Sequence, residues 1–117
     1  MFEMSQADFQ AIVAGVLDRI PHQIARRLDN VAFVVEDDAP DHDPHLLGHF
    51  DGFPVTAVGE GGPAGALPDK ITIYRLPTLR MCETIDQVIE EVSVTVIHEI
   101  GHYFGIDDAR LHELGWA

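Results

Sequence analysis

The sequence predicts a chain of mixed class, helical at both ends with short strands between. Three observations carry this. Apolar residues recur at helical spacing from Ser5 to Leu28, with Phe9, Ile12, Val13, Val16, Leu17, Ile20, Ile24 and Leu28 along one face. Runs of β-branched and aromatic residues follow at Val31 to Glu36 and at Asp69 to Leu76. A second helical period then runs from Thr84 to Phe104 and carries His-Glu-x-x-His near its end.

The bulk numbers bound what such a chain can be. Its 117 residues suit one domain, 1–117, and 46% hydrophobic with 23% charged residues is a globular composition. A formal charge of −13 with only seven Lys and Arg disfavours nucleic acid as a partner, because phosphate backbones are held by clustered cations. No apolar run is long enough to span a membrane, and Met1 to Gln10 carries Glu3 and Asp8 with no basic region, unlike a signal peptide. Cys82 is the single cysteine, so no disulfide forms within the chain; a buried thiol and a cytoplasmic location are expected.

Taken in order, Ser5 and Asp8 resemble a capping box that starts the first helix. Pro21 removes an N–H and clashes with the preceding turn, so two helices are expected, at about 5–19 and 21–28. Asp29-Asn30 is a turn signal. The run Val31 to Glu36 is apolar enough for a strand covered on both faces. The segment from Asp37 to His45 is turn-rich, and His42, His45 and His49 with the acids among them are candidates for a second metal site or for lining a cleft. Val55 to Val58 reads as a short strand and Gly59 to Pro68 as a loop. Asp69 to Leu76 alternates Ile71 and Ile73 against Thr72 and Tyr74, the pattern of a half-buried or edge strand, which Pro77 ends.

Thr84 and Gln87 form a second capping pattern, with Asp86 suited to the positive helix start. On this helix Ile85, Ile89, Val92, Val96 and Ile100 cluster opposite His98, so the apolar face enters the core and the histidine stripe faces a cleft. Ala109 to Trp116 reads as a short amphipathic tail that docks back through Leu111, Leu114 and Trp116.

Four helical residues turn through about 400°, so His98 and His102 point the same way one turn apart. Two imidazoles so placed can hold one Zn²⁺, with Glu99 on the flank of the same turn to act on water. Gly105 is expected to end the helix in a left-handed cap, and the reversed chain brings Asp108 back as a third ligand. That leaves a fourth position for water, the arrangement of a catalytic zinc site. In a chain with seven histidines, a chance His-Glu-x-x-His has odds of roughly 3 in 100; the glycine and the acidic position lower them below ~1 in 1,000, so the pattern reads as a site. In this reading Glu99 takes a proton and passes it to the leaving amine, and Tyr103 or His112 is a candidate donor to the developing oxyanion. Manganese, iron or nickel also suit two His and a carboxylate, because affinity alone does not select among them.

His98-Glu99-x-x-His102-x-x-Gly105-x-x-Asp108 resembles the extended motif of the zincin metallopeptidases, in the aspartate variant of the metzincin pattern. The chain is similar to the small bacterial family of minimal zincin-like metallopeptidases through three stretches. These are Leu46-Leu47-Gly48-x-Phe50-x-Gly52-x-Pro54, Leu67-Pro68-Asp69-Lys70-Ile71-Thr72, and Glu90 through Trp116. The resemblance implies an α+β fold, with a small mixed sheet packed on the N-terminal helix pair and the active-site helix. It implies one zinc per chain on His98, His102 and Asp108, Glu99 as general base, and a peptide or protein substrate. By analogy with larger zincins, Ile71 to Arg75 is the candidate sheet edge for pairing with substrate. Metzincins set a methionine turn beneath the metal after the motif; here Met1, Met4 and Met81 all precede it. Only nine residues follow Asp108, so the subdomain that walls the cleft in larger zincins is not expected. The rival readings are a metal-dependent hydrolase of another substrate class, such as RNA, and a non-catalytic binding module stapled by metal.

Overall fold

Ser5 starts the first helix, α1 (Gln6–Asp18), by accepting the Asp8 N–H on its hydroxyl at 3.1 Å. In the computed structural model, which describes residues 1–52 and 69–113 without the side chains of Asp108, Leu111 and His112, α1 buries Phe9, Val13 and Val16. The helix stops before Pro21, which caps a single further turn, α2 (His22–Ala25). The break therefore falls where proline requires it, and the second helix is shorter than its apolar spacing suggests. Asn30, at φ 56°, turns the chain through the left-handed region into the sheet.

Among the described residues three strands form that sheet: β1 (Val31–Glu36), β2 (Gly48–Asp51) and β3 (Asp69–Tyr74), in the order β1-β3-β2. β1 runs parallel to β3, pairing Val31 with Asp69 through Glu36 with Tyr74. β2 runs antiparallel to β3, pairing Gly48 with Ile73 and Asp51 with Lys70. This mixed sheet packed on helices is the α+β arrangement that the resemblance implied.

Two strand expectations are corrected. The apolar run of β1 is half-buried and lies at an edge, whereas β3, read as the edge, is the central strand. All four residues from Ile71 to Tyr74 are buried, Thr72 at 4% and Tyr74 at 7% exposure. Thr and Tyr each carry one polar group on an apolar body, so an Ile/Thr/Ile/Tyr alternation reads as half-exposed although both faces of the strand are covered. Nor does Pro77 end the strand. β3 stops at Tyr74, and Arg75–Arg80 is a helix, α3, with Pro77 in its first turn, where a missing N–H costs nothing. Arg75 fastens this corner, donating from Nε to Asp37 at 2.8 Å and from a guanidinium NH to the Met4 carbonyl at 2.6 Å.

The long helix α4 (Ile85–Tyr103) is capped at both ends by its own sequence. Thr84 Oγ1 accepts the Gln87 N–H at 3.2 Å. Gln87 Oε1 in turn accepts the Glu83 N–H at 2.6 Å, one residue earlier than a regular capping box. At the far end Gly105 takes φ 77°; its N–H donates to the His102 carbonyl and the Ile106 N–H to that of Gly101, each at 2.9 Å, which is a Schellman motif. The buried face is Val88, Val92, Val96 and Ile100 with Thr95, Glu99 and Tyr103. Ile85, expected on that face, is 50% exposed in the first turn. With Phe9, Ile71, Ile73, Leu79 and the free thiol of Cys82, the α4 valines make the core. Burial pushes the Cys82 pKa up, which suits the inert role expected of it.

A final helix, α5 (Asp108–Glu113), occupies much of the expected tail. The strand expected at Val55 to Val58, the loop from Gly59 to Pro68, and Leu114 and Trp116 lie outside the described residues, as does the docking of Leu111. No helix among the described residues is long and apolar enough to cross a membrane.

The Schellman turn gives a first prediction. Gly105→Ala places a Cβ in the left-handed region at a cost of about 1–2 kcal/mol and lowers the Tm by roughly 4–8 °C, with Gly105→Asn losing less. Thermal melts followed by circular dichroism measure both.

Candidate metal centre

Helical spacing brings His98 and His102 together as the sequence predicts. Their ring centroids lie 4.6 Å apart with planes at 76°, and both side chains are half-buried. Glu99 lies beside them at 6% exposure. One ligand atom from each of the three falls within 4.8 Å of the others. Two imidazoles and a carboxylate so grouped, open to solvent on the histidine side, suit a divalent ion of intermediate softness. Glu99 Oε1 stands 3.0 Å from His102 Nδ1. With the proton on Nδ1 this contact fixes the ring orientation and puts the lone pair on Nε2, the usual division of labour in a metal-ligating histidine.

Glu99 is more enclosed than a residue on the flank of a solvent-facing stripe need be. The enclosing element is β2, which packs across α4 at this turn. The register explains which side chains face the helix: Gly48 and Phe50 point towards α4, and Phe50 meets the Tyr103 ring edge-on at 6.0 Å. His49 and Asp51 alternate to the opposite face and are exposed.

The chain reversal after Gly105 leads directly into α5. Of the adjacent aspartates, Asp107 caps this helix, its Oδ1 accepting the Arg110 N–H at 2.8 Å. Asp108 is the first residue of α5. Its side chain, the expected third ligand, lies outside what the structure describes, and so does that of His112.

Tyr103 does not serve the site. It is 3% exposed, donates its hydroxyl to the Asp29 carbonyl at 3.3 Å, and is packed between Phe50 and Phe104. Burial pushes its pKa above the usual phenol range. The helix turns its hydroxyl towards the core, where a partner was available, and away from the histidines. Tyr103→Phe is accordingly expected to cost about 1 kcal/mol of stability while leaving turnover unchanged, which a melt and a steady-state assay on the same preparation measure.

The second metal site suggested by His42, His45 and His49 does not form among the described residues: all three are exposed and gather no ligand group. The sequence carries Gly48 only in the stretch that resembles the family, and β2 (Gly48–Asp51) was not among the expected strands, so the close approach of Gly48 to α4 had no local signal.

Comparison with known proteins agrees with the geometry. The family model described as zincin-like metallopeptidase matches residues 28–116, which takes in all three strands, α4 and α5 but not α1 or α2. Among solved structures, a conserved hypothetical protein from Thermo thermophilus superposes with a TM-score of 0.56 at 22% identity, covering 95% of this chain and 97% of that one. That likeness shows a shared fold. No curated protein matches the chain.

Proposed function

The chain belongs to the zincin-like metallopeptidase family, and from that premise we propose that it is a zinc-dependent peptidase, with His98, His102 and Asp108 as metal ligands and Glu99 as general base. The observation that carries this is the placement of Glu99, buried yet within ligand-atom reach of both histidines. Bound there, Zn²⁺ would polarise the scissile carbonyl and acidify a water molecule. Glu99 takes the proton from that water and delivers it to the departing amine, a transfer that its position in the same turn as both histidines makes short. The Glu99–His102 contact holds both side chains in place.

The substrate is an extended peptide. Among the described residues β2 is an edge strand paired with β3, and we take its second edge as the place where a peptide pairs antiparallel above α4. This replaces Ile71 to Arg75, whose strand residues are interior to the sheet. A net charge of −13 fits a peptide substrate better than RNA.

The test is hydrolysis of a quenched-fluorescence peptide library and of unfolded casein by the zinc-loaded protein. Cleavage that stops on chelation and returns with zinc supports the reading. Absence of cleavage across both substrate sets by a fully loaded protein contradicts it.

A further inference from the structure

We infer that Gly48 is a positioning residue for Glu99, a role that rests on the peptidase reading above. Gly48 opens β2 where the strand crosses α4 at the turn between Thr95 and Glu99. A Cβ built on it stands 2.5 Å from Thr95 Cγ2, 3.1 Å from the Thr72 carbonyl oxygen and 3.4 Å from Glu99 Cγ. The first distance is well inside carbon–carbon contact, which is most favourable at about 3.5–4.0 Å. Thr95 has little room to yield, because it is β-branched, buried and in mid-helix. The second contact is to the backbone of the central strand. Gly48 does not have the positive φ of Gly52 or Gly105, so what requires glycine here is space.

The consequence reaches the site through Glu99. A Cβ at position 48 meets Glu99 Cγ only at ordinary contact distance, so a side chain there acts on the base by lifting β2 from α4, through its conflict with Thr95 Cγ2 and the Thr72 carbonyl. None of the three nearest atoms belongs to His98 or His102. A substitution at 48 therefore disturbs the strand that covers the base, touches neither histidine directly, and reaches His102 only through its contact with Glu99. Glycine fixes the height of the strand above the base, and with it the distance from a paired peptide to Glu99.

Gly48→Ala, Thr95→Ser and the double variant test this beside the wild type, all loaded with zinc. Thr95→Ser removes Cγ2, the atom in closest conflict. Five quantities are read: zinc per chain, Tm, affinity for acetohydroxamic acid by calorimetry, and kcat and KM on a library peptide that the wild type cleaves. Acetohydroxamic acid is a zinc ligand whose own donor groups need an acceptor where Glu99 stands. Gly48→Ala is expected to keep one zinc, to lose about 10²-fold in kcat with a raised KM, and to bind the hydroxamate about tenfold more weakly. Thr95→Ser alone should match the wild type, and the double variant should recover most of both losses.

A folded, zinc-loaded Gly48→Ala with unchanged kcat and hydroxamate affinity overturns the inference. So does a loss that Thr95→Ser fails to relieve, or one that merely tracks lost zinc. Should Gly48→Ala not fold, the double variant decides: folding with restored hydroxamate affinity supports the role, and failure to fold overturns it. A wild type that binds zinc and hydroxamate but cleaves nothing sinks the peptidase reading alone, and the hydroxamate series still judges Gly48.

Discussion

Glu99→Gln is expected to fold, to bind zinc like the wild type, and to lose kcat by about 10²–10⁴-fold, the range that a positioned general base contributes. Glutamine has nearly the shape of glutamate and keeps an oxygen for His102 Nδ1, so the contact that orients the ring survives. What it lacks is a lone pair basic enough to take the proton from water. Because Glu99 sits under β2 at 6% exposure, bulk water does not readily replace it. The measurement is kcat on a cleaved peptide with zinc content determined on the same samples. If the metal were only a staple, the substitution would leave every measurable property of the protein nearly unchanged.

Chelation of the metal is expected to lower the Tm by ~15 °C, because a ligand present at about 1,000 times its Kd stabilises the native state by about 4 kcal/mol and the chain is short. The adjacent aspartates then separate two roles. Asp107→Ala removes the cap that accepts the Arg110 N–H, costs about 1 kcal/mol, and keeps the zinc. Asp108→Ala, at the proposed third ligand, is expected to weaken zinc binding by more than the roughly 10–100-fold that outer-shell partners alone contribute. Melts with and without chelator, beside competitive zinc titration, measure both variants. Equal loss of zinc in the two would show that α5 as a whole, rather than the Asp108 carboxylate, serves the metal.

The parts of this molecule that were legible in its sequence are the local ones. The break at Pro21, the caps at Ser5 and Thr84, the Schellman turn at Gly105 and the one-turn spacing of His98 and His102 each depend on residues within a few positions of one another. Periodicity and capping record such relations directly. The order of the strands is not local. Thr72 and Tyr74 read as the wet face of β3 because their polarity is visible in the sequence and the elements that cover them are not. Pro77 read as a stop because proline at a strand end and proline in the first turn of a helix leave the same mark. Ile85 matched the helical period but stands at the first turn, where the core no longer meets it. Tyr103 shows the same limit at the site. Adjacency to His102 suggested chemistry, while the 100° that separates neighbouring helical positions sent its hydroxyl to Asp29. Gly48 was visible only as part of a stretch that resembles the family; that it lies over Glu99 depends on how β2 crosses α4.

The most direct test of the central claim is the zinc stoichiometry of the chain purified without an affinity tag, by native mass spectrometry before and after incubation with one equivalent of Zn²⁺. One zinc per chain in the wild type, and none retained by His98→Ala, is the expected result. A wild type that carries no metal and takes up none would contradict the claim, leaving two histidines and a glutamate that share a helix turn without forming a site.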